Sequence, residues 1–518
     1  MASQSSLAVV LHFVQSYPVP ILLSILAFYL LRNKYGKGIS QIPGPALAGW
    51  TSLWRFNNVR EGRAHWTIID LHKKHGKLVR TAPDVVDVAD PAMIPVIYNI
   101  KGDFTKTGFY PIQSISWKKK PRHNLFSTRN EAFHREDKKK VANAFSMTSL
   151  LEMEHAVDDC SKLFMQKLRD FPDKGETVDL GAWLQYYAFD VVGEFTFQKK
   201  LGFLEKGGDV DDMIKTIEDI LFYSATIGQV PELHPYLLGN PILPHLLPQM
   251  EAWNSVLTFT LKAINSRTSL ARDGEISTSD SSSGKDMLSR WLSVKATDDL
   301  KISTEEIVVH LSANVFAGSD TTAIALRAII YYLCKNPSCM SKLIKEIDDN
   351  EYRLSEFVSY KESKDYLPYL NAVLKEGMRI HPSVGLLLER HVPKGGVVIS
   401  GTWIPGGTKV GVNAWVLHFD ERVFEEPERF WPERWLTSDE KKLAEMEKSF
   451  FVFGAGSRTC VGKNISLMEM GKIIPQLLRE FEIELVNKEW RTKNVWFVQQ
   501  SGLDVKLKRR ARKSNLSS

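Results

Sequence analysis

Cysteine is scarce in this chain: Cys160, Cys334, Cys339 and Cys460 are the only four among 518 residues. A small secreted scaffold held by disulfides carries many more per residue. None of their spacings resembles a zinc ribbon. Free cysteine behaves as a small buried apolar residue, and Cys160, Cys334 and Cys339 are read that way. Long linkers are missing too. No Pro/Gly/Ser tract is long enough to separate independent domains, and the Ser/Asp/Gly-rich stretch from Arg272 to Lys285 reads as a surface loop. No internal repeat is visible, and no nucleic-acid module accompanies the net charge of +6. That charge fits an anionic membrane surface or an acidic protein partner instead.

Charge itself is nearly absent from Leu7 to Leu31, most densely apolar from Tyr17 onward. About 20 apolar residues span a bilayer core. Arg32, Lys34 and Lys37 follow at once, and no acidic residue precedes. The positive flank, with the chain behind it, is expected on the cytosolic side. A cleaved signal peptide would carry its charges before the apolar run, the reverse of this order. Gln41-Ile42-Pro43-Gly44-Pro45 then stiffens the exit, since proline fixes φ and breaks helix. The expected division is a short lumenal end over 1–6, a transmembrane anchor over 7–31, a basic and proline-rich hinge over 32–45, and one globular domain over 46–518.

Within the globule, Trp66 to His75 reads as a helix ended by Gly76, and Leu78 to Val88 as strands about a turn at Pro83-Asp84. From Glu131 to Asn265 the chain is mostly helical, with one segment from Phe133 to Phe145. Ser303-Thr304-Glu305-Glu306 is a capping box that opens a long helix. That helix runs to about Lys335, where Pro337 forbids continuation. After Arg379, short strands alternate with Gly/Pro turns. The expected class is mainly α with small β-sheets, not a βαβ alternation.

The chemistry concentrates in Phe453-Gly454-Ala455-Gly456-Ser457-Arg458-Thr459-Cys460-Val461-Gly462. Glycines around the cysteine let the backbone approach a flat ligand. Arg458 offers a fork of donors to a carboxylate. Helix follows from Lys463, so Cys460 stands at a helix N-terminus, where backbone N–H groups and the helix dipole favour a thiolate.

This stretch resembles, position for position, the signature F-x-x-G-x-R-x-C-x-G of the cytochrome P-450 family, and the resemblance extends over roughly residues 40 to 510. It implies the cytochrome P-450 fold behind a single N-terminal helix, with haem b as cofactor. Cys460 would be its proximal ligand, Arg458 a propionate contact, and Phe453 and Gly454 neighbours of the cofactor. A thiolate axial ligand favours O–O cleavage. Ala317-Gly318-Ser319-Asp320-Thr321-Thr322 in the long helix is similar to the family's A-G-x-(D/E)-T-T motif. There Asp320 and Thr321 would relay protons to bound dioxygen. Small Ala317 and Gly318 would let the helix come close to the haem. Glu376 and Arg379, at i and i+3 on one helix face, match E-x-x-R. The resemblance joins them to Arg434 of Phe430-Trp431-Pro432-Glu433-Arg434-Trp435 in a structural triad. Where the family has W-x-x-x-R, this chain has His134 and Lys138; both can still donate to a propionate, Lys as a point charge. Arg390 resembles a further propionate contact.

Asp190 to Phe197, followed by Leu201-Gly202-Phe203-Leu204, is similar to the fungal pisatin-demethylase-like branch. The implied function is a monooxygenase in fungal specialised metabolism, on the endoplasmic reticulum membrane, with its globule in the cytosol. It would take an apolar small molecule, dioxygen, and electrons from an NADPH-dependent reductase, to which the basic runs Lys118-Lys119-Lys120 and Lys138-Lys139-Lys140 could offer a docking charge. In that fold, Phe109, Tyr110, Phe222, Ala313, Ala317, Leu386 and Leu387 would line the substrate pocket, largely apolar as pockets are. A haem-thiolate isomerase or dehydratase acting on a peroxide is the alternative within the family. An inactive membrane haem-binding protein is the alternative outside catalysis.

Overall fold

The computed structural model describes residues 15–117, 120–240, 242, 254–272, 286–297, 302–487 and 489–510. The first described helix, α1, spans Pro18–Tyr35. Val19, Leu22, Leu23, Ile25, Leu26 and Phe28 on it are all exposed. Among the described residues no helix is long and apolar enough to cross a membrane. Residues 7–14 of the expected anchor lie outside them, as do Lys118, Lys119 and most of the 272–285 loop. The C-terminal end of α1 is fastened to the globule. Arg80 donates to Asn33 O at 2.6 Å, Lys34 O at 2.9 Å and Pro83 O at 2.7 Å.

Helices carry most of the core. In chain order the ones that place the site are α2 (Ala64–His75), α3 (Glu131–Val141), α4 (Glu154–Leu168) and α5 (Leu180–Phe197). They continue with α6 (Met213–Ile227), α7 (Asn254–Arg272), α8 (Thr304–Lys335), α9 (Pro368–Ile380) and α10 (Lys463–Glu480). The capping box holds as the sequence expected. Ser303 Oγ accepts from Glu306 N at 3.2 Å, and Glu306 Oε2 accepts from Ser303 N at 2.7 Å. The single helix expected over Phe133 to Phe145 is instead α3 followed by a 3₁₀ turn, Ala142–Phe145. α3 starts at Glu131 because the Asn130 side chain accepts from Phe133 N.

The 32-residue α8 runs through the middle of this core, and much of its surface is buried. It packs most intimately on α5, and also on α7, α9 and α10. Gly318 makes the α5 contact possible: a Cβ there would stand 3.0 Å from Val192 Cγ2. Its smallness therefore serves helix–helix packing at this contact. The sequence motif could not say which face of the helix the glycine occupies.

The largest sheet has five short strands: β1 (Leu78–Ala82), β2 (Val85–Val88), β3 (Thr105–Lys106), β4 (Arg390–His391) and β5 (Lys409–Gly411). Their order is β1-β2-β5-β4-β3, with only β5 and β2 parallel. The register sets Lys106 opposite Arg390. Like charges placed directly across a ladder destabilise it, so this pairing asks for an anion nearby.

Candidate active site

The Cys460 loop is shaped by backbone contacts. Gly454 and Gly456 have φ of +66° and +67°. A Cβ on Gly456 would stand 1.8 Å from Tyr98 O, a distance no side chain can occupy. Cys460 N donates to Phe453 O at 2.9 Å, which closes the loop before α10 begins. The backbone N–H groups of Gly462 and Lys463 donate to the Cys460 sulfur. Burial among neighbouring atoms raises the thiol's pKa, and these donors, with Lys138 and Lys463, only partly offset it. Yet the side chain has accessible surface. Since the chain by itself leaves it protonated, a cation bound at the sulfur is what would make the thiolate.

Beside this loop lies an excess of positive charge. Arg458 forks onto Glu131, Nε to Oε2 at 3.1 Å and Nη2 to Oε1 at 2.7 Å, and donates to Leu125 O at 3.0 Å. Lys138 Nζ donates to Ser457 O at 2.9 Å. Arg390 Nη1 donates to Tyr110 Oη at 2.7 Å and to Glu389 O at 2.8 Å. Lys106, which sequence reasoning missed, donates to Phe126 O and sits 4.4 Å from the Tyr110 ring centroid. Burial, then Arg390 and Arg458, push its pKa well below the usual lysine value. His134 is buried here too. Burial and the charges of Arg458, Lys106, Lys138 and Arg390 lower its pKa to about 3, so it is neutral. Among these groups Glu131 is the one carboxylate. Arg458, Arg390 and Lys138 outnumber that one anion, Lys106 adds a further donor, and a ligand that brings carboxylates suits them; haem propionates fit that requirement.

The rest of the basic run on α3 is engaged within the chain: Lys139 pairs with Glu136 at 2.9 Å, and Lys140 with Glu306.

Glu376, Arg379 and Arg434 come together, all buried. Arg379 donates to Glu376 through Nε at 2.9 Å and Nη2 at 2.8 Å, and Arg434 Nε does so at 3.1 Å. Trp431 N and Trp435 Nε1 add donors at 3.0 and 2.9 Å. Burial pushes the Glu376 pKa up, but Arg379 and then Arg434 outweigh it, and the carboxyl is held below its ordinary value. His418 links this cluster to the cysteine loop. Its Nε2 accepts from Phe451 N at 3.0 Å, so its proton is on Nδ1, which donates to Arg379 O at 2.9 Å. Burial and the Arg379 charge lower its pKa to about 3, which keeps that tautomer neutral. No local sequence signal marks His418 for this part.

On α8, Ala313, Ala317 and Thr321 recur at four-residue spacing and share one accessible face. Thr321 Oγ1 donates to Ala317 O at 3.0 Å, and Ser383 Oγ donates to Thr321 O at 2.9 Å. Asp320, about 100° round the helix from Thr321, is turned instead toward α5, where its Oδ1 accepts from Gln185 Nε2 at 2.6 Å. Burial raises its pKa, against Gln185 and Arg327.

The expected pocket residues are divided. Phe109 and Tyr110 are buried with ring centroids 5.4 Å apart, and Phe109 lies 4.8 Å from the Trp496 ring. Trp496, at the tip of a hairpin with φ +84°, was not anticipated. Leu386 joins the main core, whereas Leu387 clusters with Ala82 and Val85 of the β1–β2 hairpin. Phe222 is 39% exposed, with Lys493 Nζ 5.1 Å from its ring centroid.

Known proteins bear on this geometry. A family model described as Cytochrome P450 matches residues 43–504. The chain is 38% identical over 494 residues to cytochrome P450 monooxygenase cicH of Emericella nidulans, covering 94% of this chain and 97% of that protein. It is 36% identical to cytochrome P450 monooxygenase gsfF of Penicillium aethiopicum, over 90% of this chain and 93% of the relative. Against a pisatin demethylase of Fusarium vanettenii the identity is 35%, over 93% and 91%.

Proposed function

The chain belongs to the cytochrome P450 family, and from that premise we propose that it inserts one oxygen atom of dioxygen into an apolar small molecule of fungal specialised metabolism. It is an oxygen-incorporating oxidoreductase whose cofactor is haem b, bound through a cysteine thiolate. When bound, that group supplies dioxygen binding and O–O cleavage. The chain's own residues do the rest. Cys460 offers the sulfur. Arg458, Arg390, Lys106, Lys138 and neutral His134 offer donors to the propionates. Glu376 with Arg379 and Arg434, through His418, steadies the loop that presents Cys460. Thr321 holds a hydroxyl at the accessible face of α8, and Asp320 takes up and releases a proton behind it. Electrons come from NADPH through a reductase, the donor that the family implies.

The observation that carries the reading is that one chain holds both the Cys460 loop and, on α8, the accessible Thr321 next in sequence to Asp320, a buried acid whose pKa is raised. A chain that only rearranged a peroxide has no use for a buried acid with a raised pKa at the position before that threonine. The test supplies purified reductase, NADPH, labelled ¹⁸O₂ and candidate apolar substrates. One labelled oxygen in the product, with NADPH consumed, is expected. Turnover of a peroxide without NADPH overturns the reading in favour of an isomerase or dehydratase.

The same reading places 7–31 as a single span of the endoplasmic reticulum membrane, with the globule in the cytosol. The exposed apolar side chains of α1 and the Arg32 and Lys34 that follow support it. Alkaline carbonate extraction should leave the full chain in the membrane pellet and release a chain cut before residue 36.

A further inference from the structure

Asp320 is 2% exposed, and only one of its oxygens is engaged. Oδ1 accepts from Gln185 Nε2 at 2.6 Å. Gln185 Oε1 accepts from Arg327 Nη2 at 2.7 Å, and Arg327 Nε donates to Gly181 O at 2.8 Å. Oδ2 is buried without a hydrogen-bond partner among the described protein atoms. The three side chains thus form a line, Arg327 to Gln185 to Asp320, across the α5–α8 contact.

Their donor and acceptor inventory fixes the direction of that line. A guanidinium only donates, and an amide has one donating end and one accepting end. Arg327 therefore obliges Gln185 to turn its oxygen toward the guanidinium and its NH₂ toward Asp320. That NH₂ cannot accept, so Oδ1 is an acceptor whether Asp320 is charged or neutral. A proton on the carboxyl has one place left.

We propose that Arg327 and Gln185 are positioning residues that confine the Asp320 proton to Oδ2, so that this acid gains and loses its proton at a single atom. The inference rests on the role given to Asp320 above. In the step itself the Oδ2–H bond breaks, and its proton passes to a water or hydroxyl acceptor. The carboxylate left behind keeps the Gln185 bond at Oδ1 and the nearby Arg327 charge. A solvent proton later restores Oδ2–H. Other charges also face this line. Asp209 acts on Asp320, and Asp179 and Glu218 act on Arg327. Glu218, on α6, is itself raised by burial and by the Asp320 charge.

Infrared difference spectroscopy of the full chain, titrated over pH, reads the protonated carboxyl directly. The Asp320 C=O stretch is assigned by its loss in Asp320→Asn. The wild type should give one narrow band that titrates above the ordinary aspartate range. Arg327→Met frees the amide to turn over, and the band should split in two. Arg327→Lys keeps a donor and should restore the single band. Gln185→Met keeps the bulk and removes both bonds, so the titration should move upward. Unsplit, unshifted bands in Arg327→Met and Gln185→Met, or no Asp320-dependent band at any pH, overturn the proposal. The circular dichroism of each variant reports whether it folds, and Arg327→Lys decides the matter if Arg327→Met does not: a split band there is contrary. If the bands behave as expected while Asp320→Asn leaves the NADPH-to-product ratio unchanged, the proton relay fails and the positioning stands.

Discussion

Glu376 on α9 and Asp320 on α8 are both carboxylates buried in the helical core, and their surroundings are opposite. Glu376 receives hydrogen bonds from Arg379 Nε, Arg379 Nη2, Arg434 Nε, Trp431 N and Trp435 Nε1. Asp320 receives one, from Gln185, and its second oxygen has no partner among the described protein atoms. The pKa of the first lies below its ordinary value and that of the second above. Burial penalises the charged form of both, so the number of donors and nearby cations decides the sign. One is built to stay ionised and hold the fold; the other is left able to carry a proton. Bulk charge composition could not distinguish them.

Removing the anchor should have the largest effect. Glu376→Ala leaves Arg379 and Arg434 buried and unpaired, a loss of about 3–5 kcal/mol. Urea unfolding and haem content per chain should both fall sharply. Asp320→Asn should leave haem content intact and lower product formation by about 10²-fold, the usual weight of a positioned acid. Normal haem content in the first variant, or normal product yield in the second, would erase the contrast.

Unfolding across pH sharpens the comparison further. The stabilisation by Glu376 is present above the unfolded glutamate value, about 4.3, and is lost as pH falls through the lower folded one. Asp320 runs the other way. Above about 3.9 the folded protein still holds a proton that the unfolded chain has released, so its contribution falls as pH rises. The deficit of Glu376→Gln should therefore shrink on acidification, while Asp320→Asn should gain on the wild type as pH rises. Parallel slopes in the two variants would contradict this. The smallest effect is expected at the propionate cluster. Lys138→Arg exchanges a point charge for a fork and should slow haem loss to apomyoglobin by a factor of about three.

The parts legible in the sequence are those governed by near neighbours in the chain. Ser303, Glu306 and Pro337 bound α8 because caps and proline act within a turn. The glycines of the Cys460 loop announce a tight approach, though only the structure shows that Gly456 makes it, against Tyr98 O. Gln185, Lys106 and His418 gave no such signal. Gln185 lies 135 residues from Asp320, and His418 lies 39 from Arg379 and 33 from Phe451, so only tertiary packing gives them their roles. Asp320 itself was found by motif. Its turn toward α5, away from the Thr321 face, follows from helix geometry once the Val192 contact of Gly318 fixes how α8 sits.

The reduced, CO-bound difference spectrum of the full-length protein, beside that of Cys460→His, bears most directly on the claim that this fold exists to present Cys460 as a haem thiolate. The wild type is expected to show the red-shifted Soret band of a thiolate ligand, and Cys460→His to lose it. An imidazole-type band in the wild type, or a thiolate band that survives the substitution, would contradict the account.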